Sequence, residues 1–110
     1  MGRILICEPD PEVRELLRHV IERHGHEPVL EPNGMKDLAA VVVEPSDVLS
    51  VEAAQAARAV DPELPIVCAS IEPPTPGSRR LAPAAHVVKP FTLSEFDSAL
   101  AAALGHSNGR

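Results

Sequence analysis

Charged and hydroxyl side chains stand at the ends of apolar runs in this chain. Glu8 and Asp10 follow the run RILIC, Glu44 follows AVVV, Ser70 closes PIVCAS and Lys89 closes AHVVK. If these runs are parallel strands, their carboxyl ends meet at the edge of the sheet where such folds bind ligands. Carboxylates, a hydroxyl and an ammonium gathered there would suit a phosphoryl group or a cation. The simpler interpretation of Glu44 is a strand end that has reached solvent.

Five apolar runs predict the strands that would position these groups. Each run is short, rich in aliphatic residues, and closed by Pro, Gly or polar residues, as buried strands are. The predicted strands are residues 3–7, 28–31, 40–44, 65–70 and 85–89. Helical or turn segments separate them, which predicts an α/β fold with a doubly wound parallel sheet covered on both faces.

The first and last helices have clear start and stop signals. Asp10 followed by Pro11 predicts an N-cap and a first helical position, and Gly25 predicts the end of that helix. Apolar residues between them recur every three to four positions, which predicts one buried face. The last helix begins with the capping box TLSE at residues 92–95, and we expect it to end at Gly105.

Two crossovers leave little room for a helix. Residues 32–34 predict a turn, and residues 35–38 leave space for about one helical turn. Residues 72–77, EPPTPG, are too rich in proline for a helix interior, so a turn of helix is expected only at residues 78–81. The remaining crossover, residues 51–60, is rich in alanine and predicts a helix.

The bulk composition is that of one small globular domain. The chain has 110 residues, 45% of them hydrophobic, with two Phe and no Trp or Tyr, which predicts an aliphatic core. A net charge of −6 argues against a nucleic-acid surface. No apolar run approaches membrane-spanning length, and no signal peptide is evident. Cys7 and Cys68 lie in apolar strands, where we expect reduced thiols of a cytoplasmic protein.

These motifs resemble the receiver domain of two-component response regulators along nearly the whole chain. ILICEPDPEVRELLRHVIERHGH resembles the family's first strand, acidic loop and first helix, LPIVCAS its fourth strand, and HVVKPFTLSEF its fifth strand and last helix. The resemblance implies five parallel strands in the flavodoxin-like order 2-1-3-4-5, with the second and fourth helices shortened or lost. It also implies a receiver-like domain over residues 1–105 and a polar tail or linker at 106–110.

The resemblance assigns a role to each strand end. In the family, an acid pair holds Mg²⁺, an aspartate accepts a phosphoryl group, a hydroxyl and a lysine contact that group, and an aromatic residue reports the state to a surface. The matching positions in this chain are Glu8 and Pro9 for the acid pair, Glu44 for the acceptor, Ser70 for the hydroxyl, Lys89 for the lysine and His86 for the switch aromatic.

Two positions depart from the family pattern. Pro9 offers no metal ligand, and Asp10, one residue later, is expected to be used as the helix cap. Glu44 is longer than aspartate, so its carboxylate lies roughly 1.5 Å further out, where a phosphoryl group would sit. Mg²⁺ needs near-octahedral oxygen ligands, so Glu8 and Glu44 should bind it weakly or not at all, and no other cofactor is expected. His24 and His26 lack acids or Cys at ligand spacing.

The favoured interpretation is a non-phosphorylatable pseudo-receiver, a binding module without enzymatic activity in which Glu44 pairs with Lys89. The alternative is a functional Mg²⁺-dependent phospho-acceptor with a non-standard acidic site. A flavodoxin-like cofactor protein is less favoured, because the acidic loop EPDPE would repel a phosphate. The resemblance implies a protein partner, either a sensor kinase or an output protein, or a homodimer formed through the last strand and last helix.

Overall fold

The computed structural model describes residues 2–30 and 37–107. Its elements are β1 (Arg3–Cys7), α1 (Pro11–Arg23), β2 (Glu27–Val29), β3 (Leu38–Val43), α2 (Val48–Val60), β4 (Ile66–Ser70), α3 (Pro76–Arg79), β5 (Ala85–Val88) and α4 (Leu93–Ser107). The five strands are parallel and lie in the order β2-β1-β3-β4-β5. This confirms the predicted fold and strand order.

The sheet is covered on both faces because its strands alternate apolar side chains to each side. Ile4 and Ile6 of β1 point to the face that α1 and α4 cover, where Phe96 is fully buried. Leu5 and Cys7 point to the opposite face, which packs against α2. Apart from Phe96, the buried core among the described residues is aliphatic on both faces, as the composition predicted.

The helix caps set the observed boundaries. Asp10 accepts a hydrogen bond from the Glu12 amide, which confirms it as the cap of α1. Asp47 accepts from the Ser50 amide, so α2 begins at Val48, three residues before the predicted start. The cap at Thr75 likewise starts α3 at Pro76 instead of residue 78.

The predicted end of α4 was wrong. Gly25 has a φ of 80°, a conformation that glycine adopts without a steric penalty, and α1 ends just before it. Gly105 does not adopt this conformation, and α4 continues to Ser107.

The connection from β2 to β3 is short. It spans residues 30–37, of which the structure describes Leu30 and Asp37. The predicted turn at 32–34 and most of the predicted helical turn at 35–38 lie outside the described residues, and Leu38 already belongs to β3. Eight residues are fewer than the eleven or so of an average helix. Together with the four residues of α3, this fits the prediction of two reduced crossovers.

At the amino-terminal edge of the sheet, Arg58 of α2 links two loops. Its Nε donates to the carbonyl of Leu64 at 2.9 Å, and its Nη1 donates to the carbonyl of Leu81 at 2.9 Å. A longer contact of 3.5 Å joins Nη2 to the carbonyl of Ala82. The planar guanidinium therefore holds the loop after α2 and the loop after α3 to the same helix.

None of the helices in the described ranges is both long and apolar enough to cross a membrane.

Candidate functional site

Three of the predicted site residues meet at the carboxyl-terminal edge of the sheet. The Nζ of Lys89 lies 2.6 Å from Glu8 Oε1 and 2.8 Å from Glu44 Oε1. All three side chains are largely buried, with 13% of Lys89, 3% of Glu8 and 6% of Glu44 exposed. We call this cluster the Glu8–Lys89–Glu44 triad. The sequence predicted the Glu44–Lys89 pair, but it did not predict that Glu8 pairs with the same ammonium.

The remaining carboxylate oxygens of the triad are also occupied. Glu8 Oε2 accepts from the Asp10 amide at 3.1 Å. Glu44 Oε2 accepts from the Ser46 amide at 3.1 Å and from the Ser46 hydroxyl at 3.0 Å. Sequence reasoning missed Ser46, although a hydroxyl residue two positions after an acid is a usual donor to it in a turn. Both acids are thereby fixed in orientation.

The hydrogen bonds outweigh the cost of burial at this site. Burial alone would raise the pKa of Glu44, but hydrogen bonds from Lys89 and Ser46 lower the pKa below its ordinary value of 4.5. Burial alone would lower the pKa of Lys89, but hydrogen bonds to Glu44 and Glu8 raise the pKa above its ordinary value of 10.5. Glu44 and Lys89 are therefore both charged at neutral pH.

Ser70 lies at the end of β4, between β3 and β5, as predicted, but its hydroxyl is not part of the triad. The Ser70 Oγ accepts from the Glu72 amide at 3.1 Å. The Ser70 carbonyl accepts from the Lys89 amide at 2.7 Å. Ser70 therefore contacts Lys89 through the backbone, while its side chain shapes the loop after β4.

His86 on β5 contacts that same loop. Its Nε2 donates to the carbonyl of Glu72 at 2.9 Å, which fixes the proton on Nε2 in the neutral ring. Its Nδ1 is buried and has no hydrogen-bond partner among the described residues. His86 is therefore held against the loop after β4.

The residues at this edge do not fit Mg²⁺ as they are arranged. Pro9 is exposed and offers no ligand, and Asp10 is used as the helix cap. Glu8 and Glu44 direct their oxygens to Lys89 and to backbone or hydroxyl donors. Within the described ranges no three His, Cys, Asp or Glu side chains are grouped as a metal site would need. Weak Mg²⁺ binding stays a prediction.

The other candidate groups have structural contacts. His24 Nε2 lies 2.9 Å from Asp97 Oδ1, and His26 Nδ1 accepts from the Gly2 amide at 2.9 Å. Cys7 and Cys68 both pair in register with Val43, one from each side, so they are two strands apart. At about 4.8 Å per strand this is roughly 10 Å, too far for a disulfide.

The two thiols are also expected to be unreactive. Burial raises the pKa of Cys7 to about 12. Burial, and then the nearby charge of Glu44, raise the pKa of Cys68 to about 11. Since the thiolate is the reactive form, both residues act as small core side chains.

An apolar cavity of about 310 Å³ opens beside the triad, at the rim of the site. It is lined by Val13 and Leu16 of α1, Ile71 after β4, and Lys89, Pro90 and Phe91 after β5. Ile71 is 68% exposed, which is unusual for a large apolar side chain without a covering partner.

Comparison with known proteins shows the fold. No family model and no curated protein matches the chain. A CheY-like response regulator receiver domain protein from Methanospirillum hungatei superposes with a TM-score of 0.82 at 14% identity, over 99% of this chain and 98% of that chain. A sensor protein from a Polaromonas species superposes with a TM-score of 0.73 at 26% identity, over 96% of this chain and 98% of that one.

A third solved structure contains a bound metal ion. The receiver domain of a sensor histidine kinase from Pseudomonas aeruginosa has magnesium coordinated in its active-site cleft. It superposes with a TM-score of 0.76 at 18% identity, over 94% of this chain and 98% of that chain. The predicted resemblance to receiver domains is therefore confirmed for the fold.

Proposed function

We propose that this chain is a receiver-like signalling module that acts through protein–protein contact without being phosphorylated. The observation that carries the proposal is the position of the Lys89 ammonium between Glu8 and Glu44. The fold likeness to receiver domains, one of them part of a sensor histidine kinase, supports a place in two-component signal transduction. In this proposal Glu44 replaces both the acceptor residue and the charge that a phosphoryl group would bring.

The geometry at Glu44 disfavours phosphoryl transfer. A carboxylate that attacks a phosphodonor needs an accessible oxygen lone pair, whereas the Glu44 side chain is only 6% exposed, and phosphoryl transfer depends on metal ions to neutralise the developing charge. Both oxygens of Glu44 already accept hydrogen bonds, from Lys89 and from Ser46. Pro9 removes one of the metal ligands that the resemblance implies. The triad thus occupies the space and satisfies the charges of a phosphorylated site.

A continuous series of hydrogen bonds leads from the triad to the surface. The Lys89 amide donates to the Ser70 carbonyl, the Glu72 amide to the Ser70 hydroxyl, and His86 Nε2 to the Glu72 carbonyl. Val88 on β5 and Leu93 on α4 are exposed beside this path. The partner in this proposal is a sensor kinase or an output protein, or a second copy, bound at β5 and α4.

Intact-mass measurement tests the absence of phosphorylation. After incubation with acetyl phosphate and Mg²⁺, we expect no mass increase for the natural chain. The double variant Pro9→Asp, Glu44→Asp restores the family's acids and is the positive control, because it should gain one phosphoryl group. A stoichiometric adduct mapped to Glu44 in the natural chain would instead support the alternative of a functional Mg²⁺-dependent phospho-acceptor.

The coupling to the surface needs a separate test. Glu44→Gln keeps the size of the side chain and removes its charge. We expect it to shift the amide resonances of His86, Lys89 and the start of α4. If these resonances stay in place, the triad does not control that surface.

A further inference from the structure

The helix α2 has an unusual outer surface. Its inner side, which includes Ala54 and Ala57, is buried against the sheet. On the outside, 70% of Val48, 73% of Leu49 and 59% of Val60 are exposed. A helix at the surface of a globular protein normally presents charged and polar residues on that side, so an apolar outer surface calls for a partner.

Four residues of α2 form a regular seam along one flank of the helix, beside its buried side. Leu49, Ala53, Ala56 and Val60 follow one another at intervals of four, three and four residues, which is the spacing of the contact positions in a coiled coil. Leu49, Ala56 and Val60 are exposed and Ala53 is half-buried. Ser50, Ala54 and Ala57 form the neighbouring row, which packs inward, and Ala53 of the seam also packs against the edge of that core.

The short connection between β2 and β3 explains why this seam is uncovered. In a doubly wound sheet, the crossover after β2 ordinarily carries a helix on the same face as α2. Here only eight residues, 30–37, join the two strands. Among the described residues, Leu49 is exposed on the flank of α2 that such a helix would cover, and Leu30 is exposed just after β2.

We propose that this seam is a self-association surface, on which two copies of the chain pack α2 against α2 in antiparallel orientation. Along the seam the side chains are large, small, small and large. This order is symmetric about a point between Ala54 and Gln55. A two-fold axis there sets Leu49 against the Val60 of a second copy, and Ala53 against its Ala56. Alanines at the crossing point allow the helix axes to approach to about 8 Å.

Charge limits where a second copy can bind, and the seam is a place where it can. Each chain has a net charge of −6, which opposes association through most of the surface. The outer surface of α2 has one charged residue, Glu52, beside the seam, because Arg58 is engaged with the carbonyls of Leu64 and Leu81. Antiparallel packing separates the two Glu52 residues by about 7.5 Å along the helix axes, whereas parallel packing would place them side by side.

The proposed interface lies on α2, apart from the surface at β5 and α4, and its residues Leu49 and Ala53 line one cavity of about 250 Å³ together with Glu8. A single pair of helices buries less area than the roughly 1,600 Å² of a standard interface. We therefore expect a weak, reversible dimer.

Sedimentation equilibrium of the full chain, from about 10 μM to 1 mM, tests the proposal. The natural chain should show a monomer–dimer equilibrium, and Leu49→Gln should raise its Kd by about tenfold or more, since each dimer loses two buried leucines. Val48→Gln is the matched control, because Val48 is equally exposed on the same turn but lies off the seam. It should leave Kd unchanged. Val60→Gln gives a second seam variant should Leu49→Gln fail to fold.

Disulfide trapping tests the orientation. Ala53→Cys and Ala56→Cys are made separately, mixed in equal amounts and oxidised, while the buried Cys7 and Cys68 stay reduced. Antiparallel packing predicts the mixed dimer as the main product. The proposal is overturned if the natural chain stays monomeric up to 1 mM, if Val48→Gln weakens the dimer as much as Leu49→Gln does, or if each cysteine variant links mainly to itself.

Discussion

Replacing Lys89 should cost far more stability than neutralising Glu44, although both changes break the same ion pair. Lys89→Met leaves Glu8 and Glu44 buried and facing each other without their shared cation, and breaking a buried ion pair in this way costs about 3–5 kcal/mol. Glu44→Gln leaves Lys89 paired with Glu8 at 2.6 Å and keeps a hydrogen-bonding side chain. Its cost should be about 1–2 kcal/mol.

Urea and thermal unfolding at pH 7 measure the difference directly. At about 5 °C per kcal/mol for a domain of this size, Tm should fall by roughly 15–25 °C for Lys89→Met and by roughly 5–10 °C for Glu44→Gln. Glu15→Gln is the control, because Glu15 pairs with Arg18 on the exposed side of α1 and should leave the midpoint in place. The difference in stability between Lys89→Met and the natural chain should narrow at acid pH, since protonation of Glu44 removes its ion pair with Lys89 from the natural chain.

Equal destabilisation by the two variants would refute the reasoning, because it would mean that Lys89 does not serve two carboxylates. A loss of less than about 1 kcal/mol for Lys89→Met would refute it as well, since the triad would then be solvated like a surface pair.

Three further predictions concern pH, metal and thiols. Because the pKa of Glu44 is lowered, its contribution to stability is complete above pH 4.5 and is lost as the pH falls through the lower folded-state value, so the acid limb of the stability curve should be shallower in Glu44→Gln. Calorimetric titration should give an Mg²⁺ affinity in the millimolar range or weaker, and tight saturable binding that shifts the resonances of Glu8 and Glu44 would contradict this. In the native protein at pH 8, Cys7 and Cys68 should react with a thiol reagent only at the rate of unfolding; fast reaction of either thiol under native conditions would contradict their burial.

The fold could be predicted because it depends on local patterns. The apolar runs, the cap at Asp10 and the capping box at Thr92 each specify an element through neighbouring residues, and the elements alternate in a way that fits one sheet topology. Helix boundaries were predicted less well where residue type and local hydrogen bonding indicate different end points. Gly105 has the residue type that ends helices but not the backbone conformation, and Asp47 starts α2 earlier than its alanine content indicated.

The sequence predicted which residues lie at the site, but not all of the hydrogen bonds they make. Strand ends place Glu44 and Lys89 on the same edge, so their pairing followed from topology. The Lys89 ammonium also reaches Glu8, although β5 and β1 are separated by β4 and β3 in the sheet. Whether a side chain spans that distance is not determined by neighbouring residues in the sequence. The Ser70 hydroxyl was assigned to the site by position, yet it accepts a hydrogen bond from the Glu72 amide, two residues later in the same loop.

The Arg58 contacts at the opposite edge of the sheet have a consequence for how the molecule opens. One guanidinium holds the carbonyls of Leu64 and Leu81, which belong to loops 17 positions apart in the sequence. Neither loop can detach without leaving part of a half-buried guanidinium without its hydrogen bonds, so both should open in a single step. Their backbone amides, including those of Leu64 and Leu81, should then exchange with deuterium at a common free energy of opening, as members of one cooperative unit.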